Sequence, residues 1–133
     1  MRPTTAEWVA KAEEDFGVLE RECRARKKPA YSAIGFHAQQ CAEKYLKARL
    51  CEAGREVAKI HDLVILLEHV LPLSPEWELF RADLRFLTDF AVSYRYPGAA
   101  ADRKKALEAR RFCRAFRQAA RLALGLKPCV FYC

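Results

Sequence analysis

The chain has 133 residues and a mass of 15.3 kDa, which is the size of one domain with a core of its own. Apolar residues make up 52% and charged residues 31%, which excludes a disordered chain, and the presence of only 5 Gly and 6 Pro excludes a collagen-like one. No apolar run approaches the ~20 residues that a membrane-spanning helix needs.

The two ends of the sequence give little indication of a targeting signal or of metal binding. The N-terminal sequence MRPTTAEWVAKAEED is charged and lacks a signal-peptide hydrophobic region, so we expect a cytoplasmic protein with reduced cysteines and no membrane contact. Cys129 and Cys133 form a C-x3-C pair, but no nearby histidine completes a tetrahedral set, so we expect no metal site and no cofactor. Residues 1–133 are interpreted as a single helical domain, with 127–133 as a C-terminal tail.

Basic charge is concentrated near the C-terminus. The chain has 24 Lys and Arg residues against 17 Asp and Glu, a formal net charge of +7. Residues 101–126 hold eight of the basic residues against only Asp102 and Glu108. Such a segment is typical of a nucleic-acid binder, and equally of a helix that faces an acidic partner.

Helical signals are clear in the first half of the chain. Thr4 and Glu7 have the spacing of a capping box, which predicts the start of a first helix at Thr4. A second helix is predicted over about 32–53, since Gly54 stands where a helix commonly ends.

The second half continues the helical pattern. A short third helix is predicted over about 62–71 with Asp62 as its cap, and Ser74 is expected to cap the fourth. A fifth helix is predicted over about 102–124. The strongest apolar repeat belongs to the fourth helix and is formed by Trp77, Phe80, Leu84, Leu87, Ala91 and Tyr94.

These elements predict an all-α fold, an antiparallel up-and-down four-helix bundle with one additional short helix, because the connections are short. The second and fourth helices carry more apolar residues than one helix-packing face would bury. The clearest additional apolar residues are Ile34, Phe86 and Phe90. A two-fold interface would bury such a patch on both subunits, so we expect a homodimer.

Three motifs together carry a family resemblance. The second helix contains FHAQQCAEKYLK over 36–47, the third begins with HDL over 61–63, and the fourth ends with YRYP over 94–97. In this order and at this spacing, they resemble the HEPN (higher eukaryotes and prokaryotes nucleotide-binding) domain family. The resemblance implies an all-α bundle, commonly dimeric. Many members are paired with a small nucleotidyltransferase in toxin–antitoxin operons, and some are metal-independent RNases.

The chain departs from the RNase members of that family. Their motif places a histidine four to six residues after an arginine late in the bundle; Arg95 is the natural arginine, but no histidine follows His69. Arg55 and His61 match the spacing but fall in the connection after the second helix, so we interpret that match as coincidence. The resemblance therefore implies a non-catalytic nucleotide-binding or partner-binding module that acts with a small nucleotidyltransferase. The alternative is an RNA-binding or degenerate RNase-type toxin.

Candidate ligand-binding residues follow from chemistry and spacing. One face of the second helix could bind a phosphate and the edge of a base, or could form a buried polar network that fixes the packing of the helix. His61 is either a ligand contact or part of a helix-starting pair with Asp62, and Arg95 binds either a phosphate or a carboxylate. The residues of the candidate face are His37, Gln40, Lys44 and Lys47.

Arginines repeat along the fifth helix beside its apolar seam. A stripe of this length can follow a phosphate backbone, can dock an acidic partner, or can be a solvated flank. The stripe consists of Arg103, Arg110, Arg114, Arg117 and Arg121.

Overall fold

The computed structural model describes residues 1–128, which contain five α-helices and no strand. The helices are α1 (Pro3–Cys23), α2 (Tyr31–Glu52), α3 (Leu63–Val70), α4 (Arg81–Ser93) and α5 (Arg103–Ala123), and a 3-10 helix over Pro75–Phe80 leads into α4. The predictions of an all-α fold and of a bundle with one additional short helix are confirmed. The C-x3-C pair of Cys129 and Cys133 lies outside the described residues.

Helix α2 is central and packs against α1, α3, α4 and α5. The backbone N–H of Arg2, at the start of α1, donates to Glu52 at the end of α2. Further along α1, Asp15 contacts His37, which lies near the start of α2. The two helices therefore run antiparallel.

Aromatic pairs show that α4 and α5 are also antiparallel. Phe80, just before α4, packs edge-on against Phe116 in the second half of α5, with ring centroids 5.3 Å apart. Phe86, further along α4, meets Phe112, one turn earlier in α5, at 5.2 Å. Gly35, near the start of α2, lies against Phe90, near the end of α4, so these two helices are antiparallel as well and the chain goes up and down the bundle as expected.

The helix starts confirm one expected cap and correct two others. Asp62 caps α3, since its side chain accepts the N–H groups of Val64 and Ile65. Helix α1 begins at Pro3, with no side-chain cap, so the prediction of a capping box at Thr4 is wrong. A proline at the first helical position is already restrained to helical φ, and it starts the helix before the capping box. Ser74 does not cap either: its hydroxyl accepts a hydrogen bond of 3.1 Å from Nε of Arg49.

The apolar residues that predicted a dimer interface lie inside the single chain. Ile34 and Phe90 are only 2% and 3% exposed. Phe86 is half-buried, with its ring against Phe90 and Phe112. The inference of a surplus is therefore wrong for these residues, because the helix-to-helix contacts of one subunit already cover them.

Within residues 1–128, no helix is both long and apolar enough to cross a membrane.

The four cysteines of residues 1–128 are free thiols, of which Cys41 and Cys113 are buried. Burial raises the pKa of the Cys41 thiol well above its ordinary value, so this thiol is an unreactive core group.

Candidate functional site

The arginine stripe of α5 faces α1 rather than solvent along most of its length. Glu20, which is 1% exposed, accepts hydrogen bonds from two stripe residues. Nη2 of Arg110 lies 2.7 Å from Oε2, and Nε of Arg114 lies 2.8 Å from Oε1. Two guanidinium groups thus share one buried carboxylate.

The next turns of the stripe repeat this arrangement on Glu13. Arg117 donates to both carboxylate oxygens, at 2.8 and 2.7 Å. Arg121 reaches the hydroxyl of Tyr45 at 3.0 Å, and that hydroxyl donates to Glu13 at 2.5 Å. Four of the five stripe arginines therefore join α5 to α1, and Arg103 alone lies beyond these pairs, at the start of the helix.

The electrostatics of the two acceptors agree with this role. Burial raises the pKa of Glu13, but the hydrogen bonds from Arg117 and Tyr45 outweigh it, so the pKa lies below its ordinary value. Burial likewise raises the pKa of Glu20, and Arg110 and Arg114 together lower it further than burial raises it. Both carboxylates are ionised at neutral pH and hold the stripe in place.

On α2, the polar face forms two clusters. In the first, Asp15 of α1 accepts Nζ of Lys44 at 2.5 Å and lies 2.7 Å from Nδ1 of His37. Gln40 donates to the side chain of Gln39 at 2.8 Å. The side chains of His37 and Lys44 therefore meet on one carboxylate.

The second cluster surrounds Glu43, which is 4% exposed. Lys47, equally buried, donates to Glu43 at 3.0 Å and lies 5.6 Å from the ring centroid of Trp8. Nδ1 of His61 lies 3.1 Å from Glu43, and the carbonyl of His61 accepts a 2.9 Å hydrogen bond from Gln39. These contacts fasten the connection before α3 onto α2.

Arg95 lies elsewhere, at the rim of a groove between α2 and α4. The groove has a volume of about 310 Å³, and aromatic rings of Phe36, Phe90 and Tyr94 line it. Within residues 1–128, Arg95 has no carboxylate partner. Phe36 is 38% exposed and presents its ring to the groove opening.

The structure does not bring Arg95 to the lysines of the polar face. Arg95 shares its groove with Phe36, and Lys44 and Lys47 lie about 12 to 16 Å further along α2. Both lysines also already contact carboxylates of the chain. The groove and the polar face are therefore separate places on the molecule.

Lys105, in the first turn of α5, contacts Tyr94, one of the residues that line the groove. Its Nζ donates to the hydroxyl of Tyr94 at 2.7 Å and lies 5.4 Å from the centroid of the same ring. This hydrogen bond raises the pKa of Lys105, which keeps the ammonium charged. Sequence reasoning overlooked Lys105 and Phe36. For Phe36 a signal was present, because this large aromatic residue stands outside the apolar stripe of α2, which consists of Ile34, Ala38, Cys41, Tyr45 and Ala48.

Among residues 1–128, no group of three or more histidine, cysteine, aspartate or glutamate side chains is arranged to hold a metal ion. The groove offers instead aromatic side chains and Arg95, and the ammonium of Lys105 lies beside Tyr94. These groups suit a flat ring that carries an anionic substituent.

The fold and the groove place the protein in a structural class, that of all-α up-and-down bundles with a ligand-sized aromatic groove between two helices. The family model of the HEPN domain matches residues 5–123, and the chain belongs to the HEPN domain family. No curated protein and no solved structure showed significant similarity to the chain.

Proposed function

We propose that the chain is a non-catalytic HEPN module that binds a nucleotide in the groove between α2 and α4. The observation that carries the proposal is the position of Arg95, an exposed arginine that lines an aromatic groove and has no carboxylate partner in residues 1–128. An arginine in such a position can bind a phosphate, because its planar N–H donors match the phosphate oxygens.

The groove has the other components of a nucleotide site. Phe36 and Tyr94 supply ring faces and edges for a base, and stacking on an aromatic side chain is worth about 1–3 kcal/mol per base. Lys105 supplies a second cation beside Tyr94. A volume of about 310 Å³ is at the lower end of the range for small-molecule sites, which suits a mononucleotide.

Titration of the purified protein with purine and pyrimidine mononucleotides tests the site. We expect Arg95→Ala and Phe36→Ala each to weaken binding about tenfold, since each removes a charge-assisted or a stacking contact. Arg85→Ala is the matched control, because this exposed arginine of α4 lines a different groove, with Asp62 and Ile65. Unchanged affinity in Arg95→Ala would overturn the assignment of the groove.

We expect no robust ribonuclease activity, and this distinguishes the proposal from its alternative, an RNA-binding or degenerate RNase-type toxin. General acid–base cleavage needs a group such as histidine near the scissile 2′-OH, and no histidine follows Arg95 in the sequence. Incubation with structured and single-stranded RNA in EDTA tests this. Cleavage abolished by His61→Ala would instead show that the pair of Arg55 and His61 is functional.

Two partners belong to the same proposal. The family resemblance supports a small nucleotidyltransferase as the protein with which this module acts, and co-purification of the product of an adjacent nucleotidyltransferase gene tests it. A homodimer is proposed on the same basis, with Val92 and Tyr96 as exposed apolar and aromatic groups that an interface could cover. Light scattering should then give twice the 15.3 kDa chain mass at micromolar concentration; the chain mass alone would overturn the dimer.

A further inference from the structure

The connection between α4 and α5 contains an uncharged segment, which we call the tip. It comprises residues 96–101, with the sequence YPGAAA, and none of these six residues carries a charge. Tyr96 is 66% exposed, and residues 97–100 are exposed as well. Contiguous exposed groups without charge mark a surface that contacts something outside the chain.

The tip is convex. Gly98 has a φ of 102°, a conformation that favours glycine, and it turns the chain at this point. A Cβ atom added to Gly98 would meet no atom within 4 Å beyond its own chain neighbours, so nothing covers the turn. The tip therefore differs from the groove between α2 and α4, which is concave and closed by side chains.

Exposed cations lie at the same end of the bundle as the tip. Because α1, α2, α4 and α5 run up and down, the connection between α1 and α2 and the connection between α4 and α5 share one end. The exposed cations of these two connections and of the first turn of α5, which we call the cation cluster, are Arg24, Arg26, Lys27, Lys28, Arg95, Arg103, Lys104 and Lys105.

The acidic side chains beside the cation cluster already bind the backbone. Glu22 accepts the N–H of Ala30 at 2.6 Å, and Asp102 accepts the N–H of Lys105 at 2.8 Å. The first three residues of α5 are cations, although the helix dipole disfavours positive charge at this position. Charges that oppose the helix they belong to indicate an anionic partner outside the chain.

We propose that this end of the bundle binds an anionic lipid surface, with the tip at the membrane–water interface and the cation cluster against the lipid phosphates. Tyrosine is enriched at this interface because its ring is amphipathic. Apolar insertion and electrostatic attraction both contribute to the binding of a protein at a bilayer surface. Each Lys or Arg near an anionic surface strengthens binding about fivefold.

This contact lies on the bilayer surface and does not cross it. It is therefore compatible with residues 1–128 having no helix that could span a membrane. The expectation of no membrane contact was drawn from the lack of a signal peptide and of a long apolar run, and neither is needed for binding at the surface.

The shape of the tip favours a lipid surface over a nucleic-acid strand. Sites for single strands are grooves in which cations follow the phosphates and aromatic rings stack on successive bases. Here a convex, uncharged turn separates Arg95 from the cations of α5, and the alanines at 99–101 offer no ring for stacking. A broad anionic surface fits both the apolar turn and the cations around it.

Sedimentation with phosphatidylcholine vesicles, with and without about one third phosphatidylglycerol, tests the proposal. The variants are Tyr96→Ser, which removes the ring of the tip, and Arg103→Gln with Lys104→Gln, which removes two charges of the cation cluster. Circular dichroism establishes that each variant remains folded.

Two matched controls change exposed residues outside this surface. Leu79→Ser replaces a residue that is 70% exposed in the 3-10 helix before α4, at the opposite end of the bundle. Arg55→Gln with Lys59→Gln removes two exposed charges from the connection after α2.

The wild type should bind the anionic vesicles but not the neutral ones, and this binding should weaken as salt screens the charges. Arg103→Gln with Lys104→Gln should weaken binding about 25-fold, and Tyr96→Ser about tenfold. Both controls should bind as the wild type does. Equal binding of the wild type to neutral and anionic vesicles, or equal losses in the controls, would overturn the proposal.

The variant Tyr96→Trp measures insertion directly. The native tryptophans, Trp8 near the start of α1 and Trp77 just before α4, lie at the opposite end of the bundle. Lipids with bromine on their acyl chains should therefore quench the fluorescence of Tyr96→Trp more strongly than that of the wild type. Equal quenching of the two proteins would contradict insertion of the tip.

Two further measurements separate this proposal from the others. If single-stranded RNA binds and Arg103→Gln with Lys104→Gln weakens it, while the wild type binds no vesicle, the surface is a nucleic-acid site and the lipid proposal is overturned. Light scattering of Tyr96→Ser tests whether Tyr96 lies in a dimer interface instead. Dissociation of a dimer with vesicle binding retained would overturn the role of the tip, whereas an intact assembly with vesicle binding lost supports it.

The lipid surface is independent of the proposed nucleotide groove, whose test uses Arg95 and Phe36. Mononucleotide affinity should be the same in the wild type, in Tyr96→Ser and in Arg103→Gln with Lys104→Gln. Vesicle binding without mononucleotide binding would leave the lipid proposal standing and overturn only the groove, and the reverse result would overturn only the lipid proposal.

Discussion

Arg117 donates two hydrogen bonds to Glu13, of 2.8 and 2.7 Å, and so joins two helices whose backbones make few direct contacts. The guanidinium is buried, and it also lies 4.1 Å from the centroid of the Phe16 ring. A charge in such a position depends on its carboxylate, because removing one partner of a buried pair leaves the other uncompensated.

Glu13→Gln should therefore destabilise the protein by about 2–3 kcal/mol, less than the loss of about 3–5 kcal/mol for a fully buried pair, because the Glu13 side chain is partly exposed. Urea denaturation measures the loss. Glu108→Gln is the control, since its pair with Arg111 is exposed and its removal should change stability by no more than about 0.5 kcal/mol. Similar losses in both variants would contradict the structural role of the α1–α5 pairs.

The lowered pKa values of Glu13 and Glu20 also predict an acid dependence. A carboxyl group whose pKa is lower in the folded state stabilises the fold fully above its unfolded pKa, here about 4.5, and loses that contribution as the pH falls through the folded pKa. The stability difference between the wild type and Glu13→Gln with Glu20→Gln should therefore narrow as the pH falls from about 5 toward 3. Urea denaturation across this range measures it, and a constant difference would contradict the prediction.

The buried pair of Glu43 and Lys47 gives a test of the polar face of α2. Lys47→Met should cost about 3 kcal/mol, because it leaves a buried carboxylate without its cation. The double variant with Glu43→Gln should cost less than the sum of the two single losses by about 1 kcal/mol or more. Additive losses in thermal or urea denaturation would show that the two side chains are not coupled. Full stability of Lys47→Met together with lost nucleotide binding would instead place Lys47 in a ligand site.

The parts of the fold that depend on local sequence were predictable. The cap of Asp62 and the apolar run that follows it lie within a few residues, and they located α3 correctly. The prediction of a capping box at Thr4 is wrong because Pro3 starts the helix earlier. The signal that overrides the capping box, a proline at the first helical position, is also local.

The partners of the arginine stripe could not be predicted in the same way. Glu20 is separated from Arg110 by 90 positions, and Glu13 from Arg117 by 104. The sequence shows a row of cations on α5 and scattered acids on α1, but only helix packing decides whether they meet. For the same reason, the sequence singled out Arg95 but not the ring of Phe36, which lies across the groove on another helix.

Gly35 allows the close approach of α2 and α4 that forms the floor of the groove. A Cβ atom at this position would lie 1.9 Å from the ring of Phe90, which is buried and would have to shift. Gly35→Ala should therefore destabilise the protein by about 1–3 kcal/mol through overpacking, although alanine is the better helix former. It should also weaken mononucleotide binding, because Phe90 lines the groove.

Gly17→Ala is the matched control, a glycine inside α1 whose added Cβ would meet only the end of the flexible Arg21 side chain, at 3.3 Å. There the helix propensity of alanine should dominate and stabilise the protein by about 0.5–1 kcal/mol. Thermal denaturation of the two variants should thus give shifts of opposite sign relative to the wild type. Shifts of the same sign would mean that Phe90 repacks freely, and the groove between α2 and α4 would then not be a preformed site.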